Sequence, residues 1–302
     1  MTKDLRFPAV HELGISIVIA YYNRKSQLLF TLESFKKSEY FNFEVIIVDD
    51  NSEEDQRVNS YLEISEYDFK IKVITIEEHE KTWINPSVAY NIAVTHATKD
   101  IVILQNAEVC HVGDVISYVA KHLKPNDWLT FNCYGLGEHS TNEVYRSNQL
   151  GYQTIVSASQ NIGGNSVGQV DSSGWLNHYD KFFVAYHYCG AIYRNDLLGK
   201  MEGGFSKDFE NLVGGDDDEF VKRLIYKDFK FKIPEFKASL PFVVHLYHEK
   251  SKPVADYDKE MTLKTRKVLF DKFESMGFFP QNDIRRVPYI ETPLARRILL
   301  TD

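Results

Sequence analysis

The apolar and polar positions of the first 130 residues change period in blocks, and the blocks predict the elements. Val45–Val48 is a continuous apolar run, the mark of a strand covered on both faces of a parallel sheet, and Ile15–Ala20 is a similar run. Between them, Ser26–Lys37 carries Leu28, Leu32 and Phe35 on one helical face. Ile71–Ile76 predicts a third strand and Ile101–Leu104 a fourth. Asn85-Pro86 opens a helix between these two, because proline in a first turn costs no hydrogen bond; Val88, Ile92 and Ala93 form its expected inner stripe. The β–α–β order predicts a mostly parallel sheet with helices on its faces.

The pattern then changes. Gly135–Gly174 is rich in Ser, Asn and Gly with little periodicity and predicts a long loop excursion. Regularity returns with a short strand at Cys189–Tyr193, a turn at Gly203-Gly204, a helix at Asp217–Lys227, a strand at Phe242–Tyr247 and a last helix from Asp256 to Phe273. Without internal repeats or a linker, the expected organisation is one domain over 1–250 with a helical extension over 251–302.

Composition narrows the classes. A net charge of −8 over 302 residues argues against a nucleic-acid partner, which would call for a basic face. Three scattered cysteines are too few for a disulfide framework or zinc cluster, so reduced thiols and a cytoplasmic setting are expected. The first residues lack an apolar signal region and no window reaches bilayer length, so the expectation is a soluble or at most peripheral protein without a transmembrane segment.

The chemistry lies at strand ends, where open α/β sheets place their ligands. The second strand ends on Asp49 and Asp50, and the first on Ala20-Tyr21-Tyr22-Asn23-Arg24. Aromatic surface, a carboxylate, an amide and a cation suit a nucleotide, although Asp-Asp-Asn-Ser is also good turn chemistry. Gln105-Asn106-Ala107-Glu108 follows the fourth strand; Asn106 and Glu108 point the same way if strand geometry persists, and their oxygens suit Mg²⁺ or Mn²⁺, or they form a plain polar turn. In Gly214-Gly215-Asp216-Asp217-Asp218-Glu219, Asp216 and Glu219 have capping-box spacing, so Asp216 is expected to cap a helix. A cap does not account for Asp217 and Asp218, whose crowding raises carboxyl pKa values and suits a general base. His245 and His248 face opposite sides of a strand, so both serve one metal only if the strand ends between them; His248 is the better candidate.

Together these segments resemble the inverting family 2 glycosyltransferases of the GT-A fold, from Ile15 to about His248. SIVIAYYNR is similar to the family's opening strand and FEVIIVDDNS to its second. Asn85–Glu108 resembles the helix and strand leading to the Asp-x-Asp metal motif, with Asn106-Ala107-Glu108 standing where Asp-x-Asp is usual. GGFSKDFENLVGGDDDEFVKRL resembles the segment that supplies the catalytic base, and LYHEKSKP the metal-site histidine of chondroitin-polymerase-like members.

The resemblance implies an α/β GT-A (Rossmann-like) fold, a mostly parallel central sheet with flanking helices and a C-terminal helical extension. It implies a UDP-sugar donor, a glycan or glycoconjugate acceptor and Mn²⁺ or Mg²⁺. Tyr22 would stack on uracil and Asp50 accept from its N3–H, with Ala20, Asn23, Arg24, Asn91 and Asn106 lining the nucleotide. Glu108 and His248 would hold the metal and Asp217 would be the base. Trp175, Asp216 and Asp218 are the candidates on the acceptor side. Two other classes compete: a silent UDP-sugar-binding protein and a nucleotidyltransferase. A dinucleotide oxidoreductase is excluded, since Ala20–Arg24 lacks a Gly-x-Gly-x-x-Gly turn.

Overall fold

Strands in this chain form where β-branched and aromatic residues cluster, and most are paired inside one eight-stranded sheet. The structure, a computed structural model, describes residues 13–160, 189–249, 259–277 and 299–301. The strands are β1 (Ile15–Tyr21), β2 (Phe43–Asp49), β3 (Lys70–Thr75), β4 (Ile101–Asn106), β5 (Val109–Val112), β6 (Asp127–Thr130), β7 (Cys133–Gly135), β8 (Cys189–Tyr193), β9 (Lys230–Pro234), β10 (Phe242–His245) and β11 (Leu299–Thr301). The helices are α1 (Lys25–Phe35), α2 (Val58–Tyr61), α3 (Ser87–His96), α4 (Val115–His122), α5 (Glu138–Ser147), α6 (Tyr152–Gln160), α7 (Arg194–Gly199), α8 (Asp216–Tyr226) and α9 (Lys259–Ser275).

The large sheet has the order β11-β9-β6-β8-β4-β1-β2-β3, and β5-β10-β7 form a second, three-stranded sheet. All pairings of the large sheet are parallel except those of β8, which runs against both β4 and β6. The expected mostly parallel sheet is therefore present, and apolar side chains cover it on both faces. On one face Ile17, Ile19, Val45 and Ile47 pack with Leu28, Leu32 and Phe35 of α1. On the other, Val18, Ile46, Val48 and Leu104 pack with α3 and α8.

Several elements differ from the sequence reading. The described part of the expected loop at Gly135–Gly174 contains helices α5 and α6, whose Val144 and Ile155 are buried with Cys110, Tyr134 and Val244 of the small sheet. That burial stabilises helices whose local signal is weak. The buried face of α3 is Ala89, Tyr90, Ala93 and Val94, with Val88 and Ile92 at its margin. The short strands β5, β6, β7 and β9 were not apparent, because runs of three to five residues carry little periodicity.

One close approach fixes the centre of the sheet. A Cβ at Gly190 would lie 2.1 Å from Cζ2 of Trp128, whose ring is fully buried. Gly190→Val should therefore destabilise the protein by about 1–3 kcal/mol, the usual cost of overpacking, read as a lowered thermal midpoint. An unchanged midpoint would show that the Trp128 ring moves aside freely.

Candidate active site

Strands β2, β1 and β4 are neighbours and run in one direction, in the register Tyr21↔Asp49 and Ala20↔Asn106. Their carboxyl ends therefore open side by side and bring Tyr22, Asp50 and Asn106 to one rim. Adjacent carboxylates here take different work. Asp49 is fully buried and accepts from the backbone N–H of Ser52 (3.0 Å) and Val58 (2.8 Å), which fixes the loop after β2. Asp50 faces the rim. Its Oδ1 accepts from the indole N–H of Trp83 (2.9 Å), and its Oδ2 and main-chain oxygen accept from Lys81 Nζ (both 2.9 Å). Burial raises the Asp50 carboxyl above its ordinary pKa, and Lys81 and Trp83 offset this only in part. The same ammonium lies 5.1 Å from the centre of the Tyr22 ring.

The other expected nucleotide residues fall into two groups. Asn23, with φ of 49°, donates its backbone N–H to Ser52 Oγ (3.1 Å) and accepts from the Glu53 N–H (2.9 Å), so it clips the two strand ends together. Arg24 donates to the carbonyls of Asn23 (3.0 Å) and Glu249 (3.2 Å), linking this rim to the segment after β10. Asn91 departs from expectation. Its amide donates to the Phe205 carbonyl (2.9 Å) and accepts from the Phe205 N–H (2.8 Å), and its oxygen fills the space that a Cβ on Gly204 would need. It holds the Gly203-Gly204 turn, and both ends of its amide are committed to that turn.

At the end of β4 the chain turns through Ala107 and Glu108 into β5. Asn106 Nδ2 lies 3.3 Å from Glu108 Oε1, so the two do share a face. Tyr90 of α3 donates at Asn106 Oδ1 (2.9 Å) and at the Gln105 carbonyl (3.0 Å). Strand β10 ends at His245, which meets the condition for both histidines to reach one ion. Nε2 of His245 and of His248 lie 3.5 and 3.6 Å from Glu108 Oε1, and the Leu246 N–H bonds the Glu108 carbonyl at 2.9 Å. His245, set aside in the sequence reading, thus joins Glu108 and His248.

The donor set fits a divalent transition metal. The three ligand atoms lie within 4.8 Å of one another, so small side-chain shifts would let metal–ligand bonds of about 2.0–2.2 Å meet at one ion. Burial alone would raise the Glu108 carboxyl, but the two imidazoles outweigh it and hold it well below the usual range. Cys110, Cys133 and Cys189 are buried free thiols whose pKa values burial pushes up, so they are poor competitors for a metal.

The third cluster begins α8. Gly214 and Gly215 have φ of 68° and 82°, which favours glycine, and Gly215 occupies the N-cap position without a side-chain cap bond. The capping-box expectation for Asp216 is therefore corrected. Asp216 lies inside the helix, buried, and accepts from Asn85 Nδ2 at 3.0 Å. Glu219 turns the other way, to Arg223 (2.9 and 3.1 Å), which also donates to the carbonyls of Met201 and Gly204. A partner four residues on, itself anchored to the Gly203-Gly204 turn, draws Glu219 away from the helix start.

Asp217 and Asp218 remain half-buried at this turn. Burial and the neighbouring Asp218 charge push the Asp217 carboxyl up to about 7, and burial and Asp216 push Asp218 to about 6. Such values place a carboxylate where it can exchange a proton near neutrality. Trp175, the stacking candidate, lies outside the described residues.

The segment between β3 and α3 joins these clusters. Trp83 donates to Asp50, and two residues on, Asn85 donates to Asp216. Tyr90, one helical turn later, reaches the end of β4. Lys81, Trp83 and Asn85 were missed as site residues; the only signal was a polar and aromatic cluster just before the Pro86 helix start.

Residues 16–172 match the family described as glycosyl transferase family 2. The amylovoran biosynthesis glycosyltransferase AmsB of Erwinia amylovora is 32% identical over 98 residues, 32% of this chain and 31% of that relative, so the match spans about a third of the relative's length. Among solved structures, S. aureus TarS 1–349 in complex with UDP-GlcNAc superposes with a TM-score of 0.53 and 16% identity, covering 87% of this chain and 65% of that one. The mannosyltransferase PcManGT from Pyrobaculum calidifontis, in complex with GDP-Man and Mn²⁺, does so with 0.51 and 14%, covering 94% and 68%. These likenesses establish the GT-A architecture expected from the sequence. With just over half of its length matched by the family, the chain belongs to glycosyl transferase family 2.

Proposed function

We propose that the chain is an inverting glycosyltransferase that moves a hexose or N-acetylhexosamine from a UDP-sugar to a hydroxyl of a glycan or glycoconjugate. The observation that carries this reading is the single segment 81–85, which bonds the base-side carboxylate Asp50 at one end and the acid turn at Asp216 at the other. In this reading the segment ties the nucleotide end to the proton-accepting end, while Tyr90 of the following helix reaches Asn106, whose amide lies beside Glu108. TarS with UDP-GlcNAc and PcManGT with GDP-Man and Mn²⁺ support a nucleotide-sugar donor and a divalent ion.

In this reading Tyr22 offers a ring face to the base and Asp50 accepts from a ring N–H. Glu108, His245 and His248 would hold Mn²⁺ or Mg²⁺, which when bound neutralises the leaving diphosphate. Asp217 takes the proton of the acceptor hydroxyl as that oxygen bonds the anomeric carbon and the bond to the diphosphate oxygen breaks, inverting the centre. The acceptor lies on the Asp216–Asp218 side, next to α9, which packs on α8. The chain after residue 250 is more than the helical extension expected from the sequence, since β11 pairs with β9 in the large sheet. Among the described residues no helix is long and apolar enough to cross a membrane.

The test is a panel of nucleotide sugars assayed for metal-dependent nucleoside diphosphate release, with and without simple glycoside acceptors. Release of UDP is expected, and Asp50→Ala should weaken UDP binding by at least about 1 kcal/mol, the scale of a hydrogen bond to a charged group. Pyrophosphate release would replace this reading with a nucleotidyltransferase, and binding without release with a silent sugar-nucleotide receptor.

A further inference from the structure

Strand β10 stops at His245, so no ladder fixes the chain where His248 turns back to Glu108. Three side chains from two helices hold that segment instead. Thr141 Oγ1 of α5 accepts from the Tyr247 N–H (2.9 Å), and Gln27 Nε2 of α1 donates to the Tyr247 carbonyl (2.9 Å). Both backbone groups of the residue before His248 are thereby committed. Arg24 Nη2 donates to the carbonyl of the residue after it, Glu249 (3.2 Å). Arg24 and Gln27 stand three apart at the start of α1, and so share a face.

The Glu249 carbonyl has a second partner. His248 Nδ1 lies 2.9 Å from it. A carbonyl can only accept, so the hydrogen of the neutral ring sits on Nδ1. Nε2, the nitrogen 3.6 Å from Glu108 Oε1, then keeps the lone pair a metal ion requires. We infer that Arg24 and Gln27 are positioning residues for the metal: Arg24 fixes the carbonyl that selects the His248 tautomer, and Gln27 fixes the peptide that aims the ring at Glu108. Groups behind a ligating imidazole set its orientation and basicity in this way. The inference rests on the metal reading above, and it gives Arg24 a different task from the nucleotide contact implied by the resemblance. The same guanidinium donates to the Asn23 carbonyl (3.0 Å), so the first turn of α1 joins the rim beside Tyr22 to the metal cluster.

The test is a Mn²⁺ titration, followed by the spin-resonance signal of the free ion, on the parent, Glu108→Gln, His248→Ala, Gln27→Met, Arg24→Met and the double variant Gln27→Met with His248→Ala. Thermal melting without metal checks that each is folded. Gln27→Met, which keeps the length of the side chain and removes the donor, should weaken Mn²⁺ binding about tenfold or more, the usual cost of disturbing a group behind a metal ligand. Arg24→Met should do the same. In the His248→Ala background Gln27→Met should cost nothing further, because its effect passes through that imidazole, whereas a general loosening of the fold would add to the loss. Metal-free UDP binding, read by calorimetry, should be equal in Gln27→Met and the parent. Unchanged Mn²⁺ affinity in Gln27→Met and Arg24→Met, beside a clear loss in Glu108→Gln, would overturn the inference. So would a full additional loss in the double variant. Weaker metal-free UDP binding in Arg24→Met with Mn²⁺ affinity intact would return Arg24 to the nucleotide and overturn its part. A parent that binds no Mn²⁺, or a Glu108→Gln variant that binds it as well as the parent, would instead sink the metal reading itself and leave the two failures distinct.

Discussion

Asp217→Asn should lower sugar transfer by roughly 10²–10⁴ while leaving UDP affinity nearly unchanged, if general-base catalysis has its usual size. The substitution keeps the shape and removes the proposed proton acceptor, which in the proposed function serves the acceptor and not the nucleotide. Asp216→Asn should retain much of the activity for a reason the sequence did not supply. An asparagine oxygen can still accept from Asn85, which replaces the cap role first expected of it. The pH dependence sharpens the distinction. Burial and the Asp218 charge raise Asp217 to about 7, and burial and the Asp216 charge raise Asp218 to about 6. A base works ionised, so transfer should rise with pH to about 7 and level above it, and Asp218→Asn should move that limb to lower pH. Stability has the opposite sign. These carboxyls hold protons more tightly folded than unfolded, so their presence costs stability as pH rises from about 4 through 7. Asp217→Asn should therefore be at least as stable as the parent at pH 8. A variant that melts early and loses activity in proportion would return Asp217 to a structural role.

Glu108→Gln should weaken Mn²⁺ binding on the order of 100-fold or more, since disturbing even the residues behind a metal ligand typically costs 10–100-fold. The measurement is a direct Mn²⁺ titration followed by the spin-resonance signal of the free ion, without substrate turnover. His245→Ala should reduce affinity as much as His248→Ala, because the two imidazoles lie at nearly equal distance from the carboxylate. Two nitrogens and one carboxylate also suit Mn²⁺ better than Mg²⁺, which favours an all-oxygen shell. Parent protein that binds the two ions equally, or a His245 variant with unchanged Mn²⁺ affinity, would remove His245 from the site. The metal would then rest on Glu108, His248 and the donor phosphates.

Much of the strand-end rim was legible from the chain. Parallel strands buried on both faces must be continuous apolar runs, and Ile15–Ala20, Val45–Val48 and Ile101–Leu104 announce themselves for that reason. The residues just beyond such a run stand at the sheet's carboxyl edge, so Tyr22, Asp50, Asn106 and Glu108 are placed there from position alone. The glycines before α8 likewise mark a left-handed turn, and the crowding of three acids signals raised pKa values.

The tertiary structure decided what depends on contacts distant in sequence. The spacing of Asp216 and Glu219 is that of a capping box, but Arg223 is anchored to carbonyls about twenty residues earlier and takes Glu219 for itself. The resemblance implies that Asn91 lines the nucleotide, yet it bonds Phe205 more than a hundred residues away. Helices α5 and α6 exist because a second sheet offers them an apolar face, which no local pattern reveals. The end of β10 at His245 brings two histidines that a continuous strand would hold apart to the same carboxylate, Glu108, and only the fold sets where that strand stops. Sequence determines which residues of the long apolar runs are buried, since that follows from periodicity. The partner of a polar side chain is set by which distant groups the packed core brings within 3 Å, and only the folded chain specifies that.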